Sequence, residues 1–146
     1  FFSVDEFNNL NTEEKFQTIT LLGLIEFLTV DECLDILKKL GNFLDKNGKI
    51  VLTTPNYSIV FKVIQKLSTL AGINNYSEVT VTKFTKKEII KILKRTEFKN
   101  IEVKKIVNFG IFFSIFSHKL GLKIENLIEK YFSNYFGFVL IVEIKN

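Results

Sequence analysis

An α/β fold built on a doubly wound, partly parallel sheet follows from three features of this 146-residue chain. Strand-like apolar runs alternate with helix-period segments along its length. Two Thr-x-x-Glu capping boxes mark helix starts at Thr29 and Thr85. The run Gly48-Lys49-Ile50-Val51-Leu52-Thr53-Thr54-Pro55-Asn56 reads as a strand that delivers a loop to a site.

Taken in order, Thr18 to Leu22 is a short apolar run suited to a buried parallel strand. Thr29 with Glu32 starts a helix that runs to about Leu44, carrying Leu34, Ile36, Leu37, Leu40, Phe43 and Leu44 at helical spacing. Asp45-Lys46-Asn47-Gly48 is a cluster of turn formers, and Ile50-Val51-Leu52 follows as a second buried strand. Pro55 ends that strand, because it has no N–H to donate and biases Thr54 toward extended backbone. Asn56 and Tyr57 are therefore expected beside the strand's carboxyl end, where open α/β sheets bind ligands. Ser58 caps a helix bearing Ile59, Phe61, Val63, Ile64, Leu67 and Leu70, which Gly72 stops. Thr85 with Glu88 opens a third helix through Ile89, Ile90, Ile92 and Leu93. Residues 101 to 107 alternate as a strand, and Phe138 to Ile144 form the last one. Residues 1–146 thus read as one domain, with a Phe-rich insertion and helix at 108–136 between the last two strands.

Composition supports a packed core: 47% of residues are hydrophobic and 25% charged, too apolar for disorder. The net charge of +4 is spread along the chain with acidic residues interleaved, which argues against a phosphate-binding track and a nucleic-acid partner. Cys33 is the single cysteine, so no internal disulfide forms, and the reading is a cytoplasmic protein with a buried structural thiol. One cysteine and one histidine furnish no zinc spacing, and no metal site is expected. The stretch Phe109 to Phe116 is shorter than the roughly 20 apolar residues a membrane span needs. Its favoured role is an internal apolar face packed on a helix at 123–136. Pocket cover, oligomer contact or a membrane surface beside Lys119 and Lys123 are the alternatives.

The tract Phe16-Gln17-Thr18-Ile19-Thr20-Leu21-Leu22-Gly23-Leu24-Ile25-Glu26-Phe27-Leu28, the following helix and the Thr-Thr-Pro-Asn strand together resemble class I S-adenosylmethionine-dependent methyltransferases. The similarity is to the branch that includes ubiquinone-biosynthesis O-methyltransferases, whose fourth strand ends Ile-Glu-His-Leu and whose fifth ends Thr-Pro-Asn. Gln17 stands where that branch has Asp, Phe27 where it has His, and Asn47-Gly48 where it has Gly-Gly. The glycine-rich loop after the family's first strand has no counterpart, nor does the acidic residue after the second. The resemblance therefore implies a fragment, about the carboxyl-terminal 60 to 65 percent of a usual domain. A start at Phe1-Phe2 with no methionine in the chain fits that expectation. It implies a Rossmann-like sheet of strands four to seven, the last antiparallel and inserted between five and six. The edge of strand four is then left open, and self-association is expected there unless Phe1 to Val4 folds back over it.

The resemblance also implies roles. Asp5 corresponds to the acidic residue that faces the cofactor's adenine, a solvated turn being the competing reading. Leu22 and Gly23 correspond to strand-four backbone lining S-adenosylmethionine, or else form a plain strand-to-helix bend. Glu26 matches the Glu of the Glu-His pair and either acts in acid–base chemistry or orients the next loop. Asn56, Tyr57, Tyr76 and Phe84 fall on the substrate side, where the family's His-Val-x-x-Phe-Thr pattern appears without its histidine. His118 is a catalytic candidate by elimination only. The implied activity is methyl transfer to a small-molecule, sugar or isoprenoid hydroxyl, with this chain as the acceptor-side half and inactive alone. The missing loop, Gln17 and Phe27 support the alternative, a noncatalytic methyltransferase-like binding or assembly module.

Overall fold

The structure is a computed structural model and describes residues 13–70, 78–107, 110–114, 116–132 and 137–145. Strand β1 (Phe16–Leu22) leads through a 3-10 turn at Ile25–Phe27 into helix α1 (Val30–Asn42), and the chain returns as strand β2 (Leu44–Pro55) parallel to β1. Helices α2 (Ile59–Leu70) and α3 (Lys86–Leu93) follow, then strand β3 (Asn100–Ile106). A helical hairpin, α4 (Gly110–Phe113) with α5 (His118–Phe132), precedes strand β4 (Val139–Lys145). The sheet order is β1-β2-β4-β3, and β4 runs antiparallel to both neighbours. This is the inserted last strand that the resemblance implied.

Local chemistry sets the helix starts. Thr29 Oγ1 accepts from the Glu32 N–H, and the Glu32 carboxylate accepts from the Thr29 N–H at 2.8 Å. These bonds stabilise the ionised form, backbone contribution first, and hold the Glu32 carboxyl below its ordinary value. Thr85 and Glu88 repeat the arrangement at α3. Each box satisfies donors that a helix N-terminus otherwise leaves open.

The core is the seam between these helices and one sheet face. Cys33, Leu37 and Leu40 of α1 and Ile89 and Leu93 of α3 join Ile50, Leu52, Leu140, Val142 and Ile144 in a single buried cluster. Alternate residues of β2 and β4 are buried, so the period-2 pattern of the two central strands selects that face. Each aliphatic side chain so buried contributes about 1.5–3 kcal/mol. Cys33 lies inside this seam, where loss of solvation pushes its thiol up to about 11.

Several boundaries differ from expectation. Helix α1 ends at Asn42, and Leu44 already belongs to β2, because the Phe16 N–H donates to the Phe43 carbonyl and starts the β1 pairing there. The turn formers Asp45 to Gly48 do not precede the strand but bulge within it. Phe16 pairs with Leu44 and Thr18 with Lys49, so four residues of β2 are accommodated opposite one of β1. Strand β1 is less buried than a central parallel strand should be: only Leu21 is fully enclosed, while Phe16 and Leu22 are exposed. Among the described residues its sole strand partner is β2. Helix α5 starts at His118, one and a half turns before the expected residue 123.

The Phe-rich segment corrects a further expectation. Helix α4 does pack on α5, with Gly110 against Gly121 so closely that a Cβ on Gly121 would lie 2.8 Å from the Gly110 carbonyl. Phe113 and Phe116, however, are exposed rather than internal, Phe116 at 84%.

Candidate functional site

The carboxyl ends of β1 and β2 lie side by side and build the candidate site. Gly23 leaves β1 with φ +60°, a conformation that side chains with a Cβ rarely adopt. Its N–H is held by Thr53 of β2, through both the carbonyl and Oγ1 at 3.2 Å. That bond ties the two strand ends together and leaves Leu22, 67% exposed, on the rim.

Glu26 follows in the 3-10 turn and is 1% exposed. Its backbone carbonyl accepts from the N–H groups of Val81 and Thr82, at 2.9 and 3.0 Å, and so clamps the segment before α3 to the end of β1. Thr82 Oγ1 adds a bond to the Leu28 carbonyl. This segment includes Thr80, whose Oγ1 accepts from the Tyr57 hydroxyl at 3.0 Å. Tyr57 leaves β2 directly after Asn56, and its N–H donates to the Phe84 carbonyl. Its ring packs edge-on to Phe61 of α2 with centroids 5.0 Å apart. Burial pushes the Tyr57 hydroxyl above its ordinary value, and the nearby Glu26 carboxylate pushes the same way, against the bond to Thr80. At neutral pH it is a hydrogen-bond donor and not a base.

Asn56 sits on the other side of the same strand end. Its Nδ2 donates to the Gly137 carbonyl at 2.7 Å and its N–H to Phe138, so it anchors the turn that feeds β4. Phe84, 1% exposed, belongs to the core beneath the site. Thr54 is equally enclosed, and its Oγ1 has no hydrogen-bond partner among the described residues.

The structure thus gathers Leu22, Gly23, Glu26, Asn56, Tyr57 and Phe84 around two adjacent strand ends. His118 begins α5 and is exposed on the hairpin. Asp5 and Tyr76 lie outside the described residues. Among the described residues no cluster of three metal-binding side chains occurs, and no helix is long and apolar enough to cross a membrane. Sequence reasoning passed over Thr53 and Thr80 as individuals. A signal existed for Thr80: the tyrosine that leaves a buried strand needs a partner for its hydroxyl, and Thr80 is the residue buried between exposed Val79 and Val81.

No family model and no curated protein matches the chain. Solved structures do. The chain aligns with a SAM-dependent methyltransferase from Archaeoglobus fulgidus at TM-score 0.61 and 13% identity, covering 97% of this chain and 64% of that one. A SAM-dependent methyltransferase from Thermotoga maritima gives TM-score 0.56 at 14% identity, covering 92% and 59%. The fold is that of the SAM-dependent methyltransferases. Magnesium protoporphyrin IX methyltransferase from Synechocystis PCC 6803, solved with SAH, is a further neighbour at TM-score 0.53 and 15% identity, covering 96% and 48%. The chain therefore spans about half to two thirds of the length of these methyltransferase structures. Such low identities describe a shared fold.

Proposed function

We propose that this chain is the acceptor-side half of an S-adenosylmethionine-dependent methyltransferase that methylates a hydroxyl on a small-molecule, sugar or isoprenoid acceptor. The observation behind it is the sheet order β1-β2-β4-β3, with antiparallel β4 between β2 and β3 and the Gly23–Thr53 clasp at the strand ends. Leu22 and Gly23, exposed and adjacent at the end of β1, are the residues this reading assigns to one edge of the cofactor. The remaining edges call for a glycine-rich loop, which these 146 residues do not supply. Bound there, the cofactor supplies an electrophilic methyl group.

The chain's own part is positioning. Leu24 and Phe27 in the stretch around Glu26, Val79 and Val81 on either side of Thr80, and Ile59 two residues after Tyr57 are all exposed, apolar surface suited to an acceptor with a hydrocarbon face. Tyr57, held protonated by burial and donating to Thr80, fixes the segment before α3 beside the strand end and does not take the acceptor's proton. The place of β1 at the end of the sheet, among the described residues, supports a second element of the reading, pairing with a strand from elsewhere in the polypeptide or from another copy.

A noncatalytic binding or assembly module is the second reading. It is favoured by the way Asn56 and Tyr57 spend their polar groups on Gly137 and Thr80. Calorimetric titration of S-adenosylhomocysteine separates the two. The 146-residue chain is compared with a version extended upstream through a glycine-rich loop. Binding by the longer version alone supports the methyltransferase half. Binding by neither supports the module, and binding by the short chain overturns the division of labour proposed here.

A further inference from the structure

Helix α5 segregates its side chains in a way that its packing on α4 does not use. At about 100° per residue, Lys119, Lys123 and Lys130 fall within roughly 40° of one another. Leu120, Leu127 and Tyr131 form a second stripe of the same width immediately beside them. All six are exposed, and Lys130 Nζ lies 5.3 Å from the Tyr131 ring centroid. Neither stripe carries a carboxylate; Leu122 and Phe132, also exposed, fall on the acidic side of the helix. Glu125 turns toward α4, where its carboxylate accepts from the Gly110 N–H at 3.1 Å, and Glu129 lies on the side remote from Leu120 and Leu127. Phe113 and Phe116, at the start of the hairpin, are exposed as well.

We propose that the α4–α5 hairpin docks on an anionic lipid surface, with Leu120, Leu127 and Tyr131 entering the headgroup boundary and Lys119, Lys123 and Lys130 meeting lipid phosphates. The charge arrangement selects this occupant over a second protein. A lysine stripe flanking an exposed apolar stripe, with no carboxylate within either, complements a uniformly negative plane. Lysine stems lie along apolar surface while their ammonium groups reach polar headgroups, which this spacing permits. The stripe runs from Leu120 to Tyr131, about 17 Å at helical rise, so the helix lies in the surface and does not cross it. The residues invoked here are not those of the Gly23–Tyr57 site, and the proposal holds whichever function reading is right.

The test is flotation of the 146-residue chain with vesicles of phosphatidylcholine alone and with 30% phosphatidylglycerol, at low and high salt; flotation separates lipid-bound chain from aggregate. Cofloating with the anionic vesicles only, weakened by salt, is expected. Replacing Lys119, Lys123 and Lys130 by Gln should weaken partitioning about 100-fold, near fivefold per lysine at low salt. Leu127→Glu should abolish it, while both variants keep the parent's circular dichroism and melting temperature. Failure to float with anionic vesicles overturns the proposal, as does flotation insensitive to both variants. Self-association abolished by Leu127→Glu in the absence of any lipid binding would assign the face to a second copy instead.

Discussion

The Tyr57–Thr80 bond is the one polar contact joining the end of β2 to the segment before α3 whose energy can be isolated. Tyr57→Phe removes a hydroxyl from a residue 2% exposed, and Thr80→Val removes its acceptor with little change of volume. A typical intramolecular hydrogen bond contributes about 0.5–1.5 kcal/mol, whereas a stranded buried hydroxyl costs about 1–3 kcal/mol. Thr80→Val should therefore cost about 2 kcal/mol and Tyr57→Phe about 1, the double variant being about 1 kcal/mol more stable than their sum. Urea unfolding followed by far-UV circular dichroism at pH 7 measures all four corners. A titration adds an independent reading. Because the folded hydroxyl is raised above its ordinary value near 10, the native state holds its proton longer than the unfolded chain. Its stabilising effect is complete below about pH 10 and declines above it, and Tyr57→Phe removes that decline. A coupling under about 0.3 kcal/mol, or a Tyr57 phenolate appearing below pH 10 in the difference absorbance, would refute the reasoning.

Three further outcomes are expected. Gly23→Ala should destabilise by about 1 kcal/mol although its Cβ would meet only Glu26 Oε1 at 3.6 Å, because the cost lies in φ +60°. Gly23→Asn should cost less, and equal melting temperatures for Ala and Asn would count against this cause. Glu143 accepts from Lys145 at 2.7 Å and from Lys49 at 2.8 Å, which holds its carboxyl down at about 2. The stability it contributes is therefore present above the ordinary value of 4.5 and lost as pH falls toward 2. The difference between parent and Glu143→Gln should shrink over that window, and a constant difference would exclude the ion pairs as its source. Cys33, buried and with its thiol raised to about 11, should react with a disulfide reagent at pH 8 only as fast as the chain unfolds. Rapid labelling of the native chain would place the thiol elsewhere.

What could be read without coordinates was local. Thr29 with Glu32 and Thr85 with Glu88 lie within one turn of each other, so their bonds need no tertiary context, and both helix starts fall where the motif places them. Pro55 terminates β2 for an equally local reason. Boundaries set by long-range pairing escaped. Gly48 has Phe16's carbonyl 2.8 Å from where a Cβ would sit, so the bulge at Asp45–Gly48 answers to β1 and not to its own turn propensity. The role of Asn56 likewise depends on Gly137, 81 residues away.

By itself the sequence determined the fold class, the alternation of strands and helices, and the strand exit that carries Asn56 and Tyr57, because periodicity and capping act within a few residues. Only the tertiary structure decided which groups near that exit are already engaged, that Thr80 faces Tyr57, and that Phe113 and Phe116 of the hairpin lie exposed. Burial and hydrogen-bond partnership are properties of surfaces that meet across the chain, and no local pattern encodes which surface arrives.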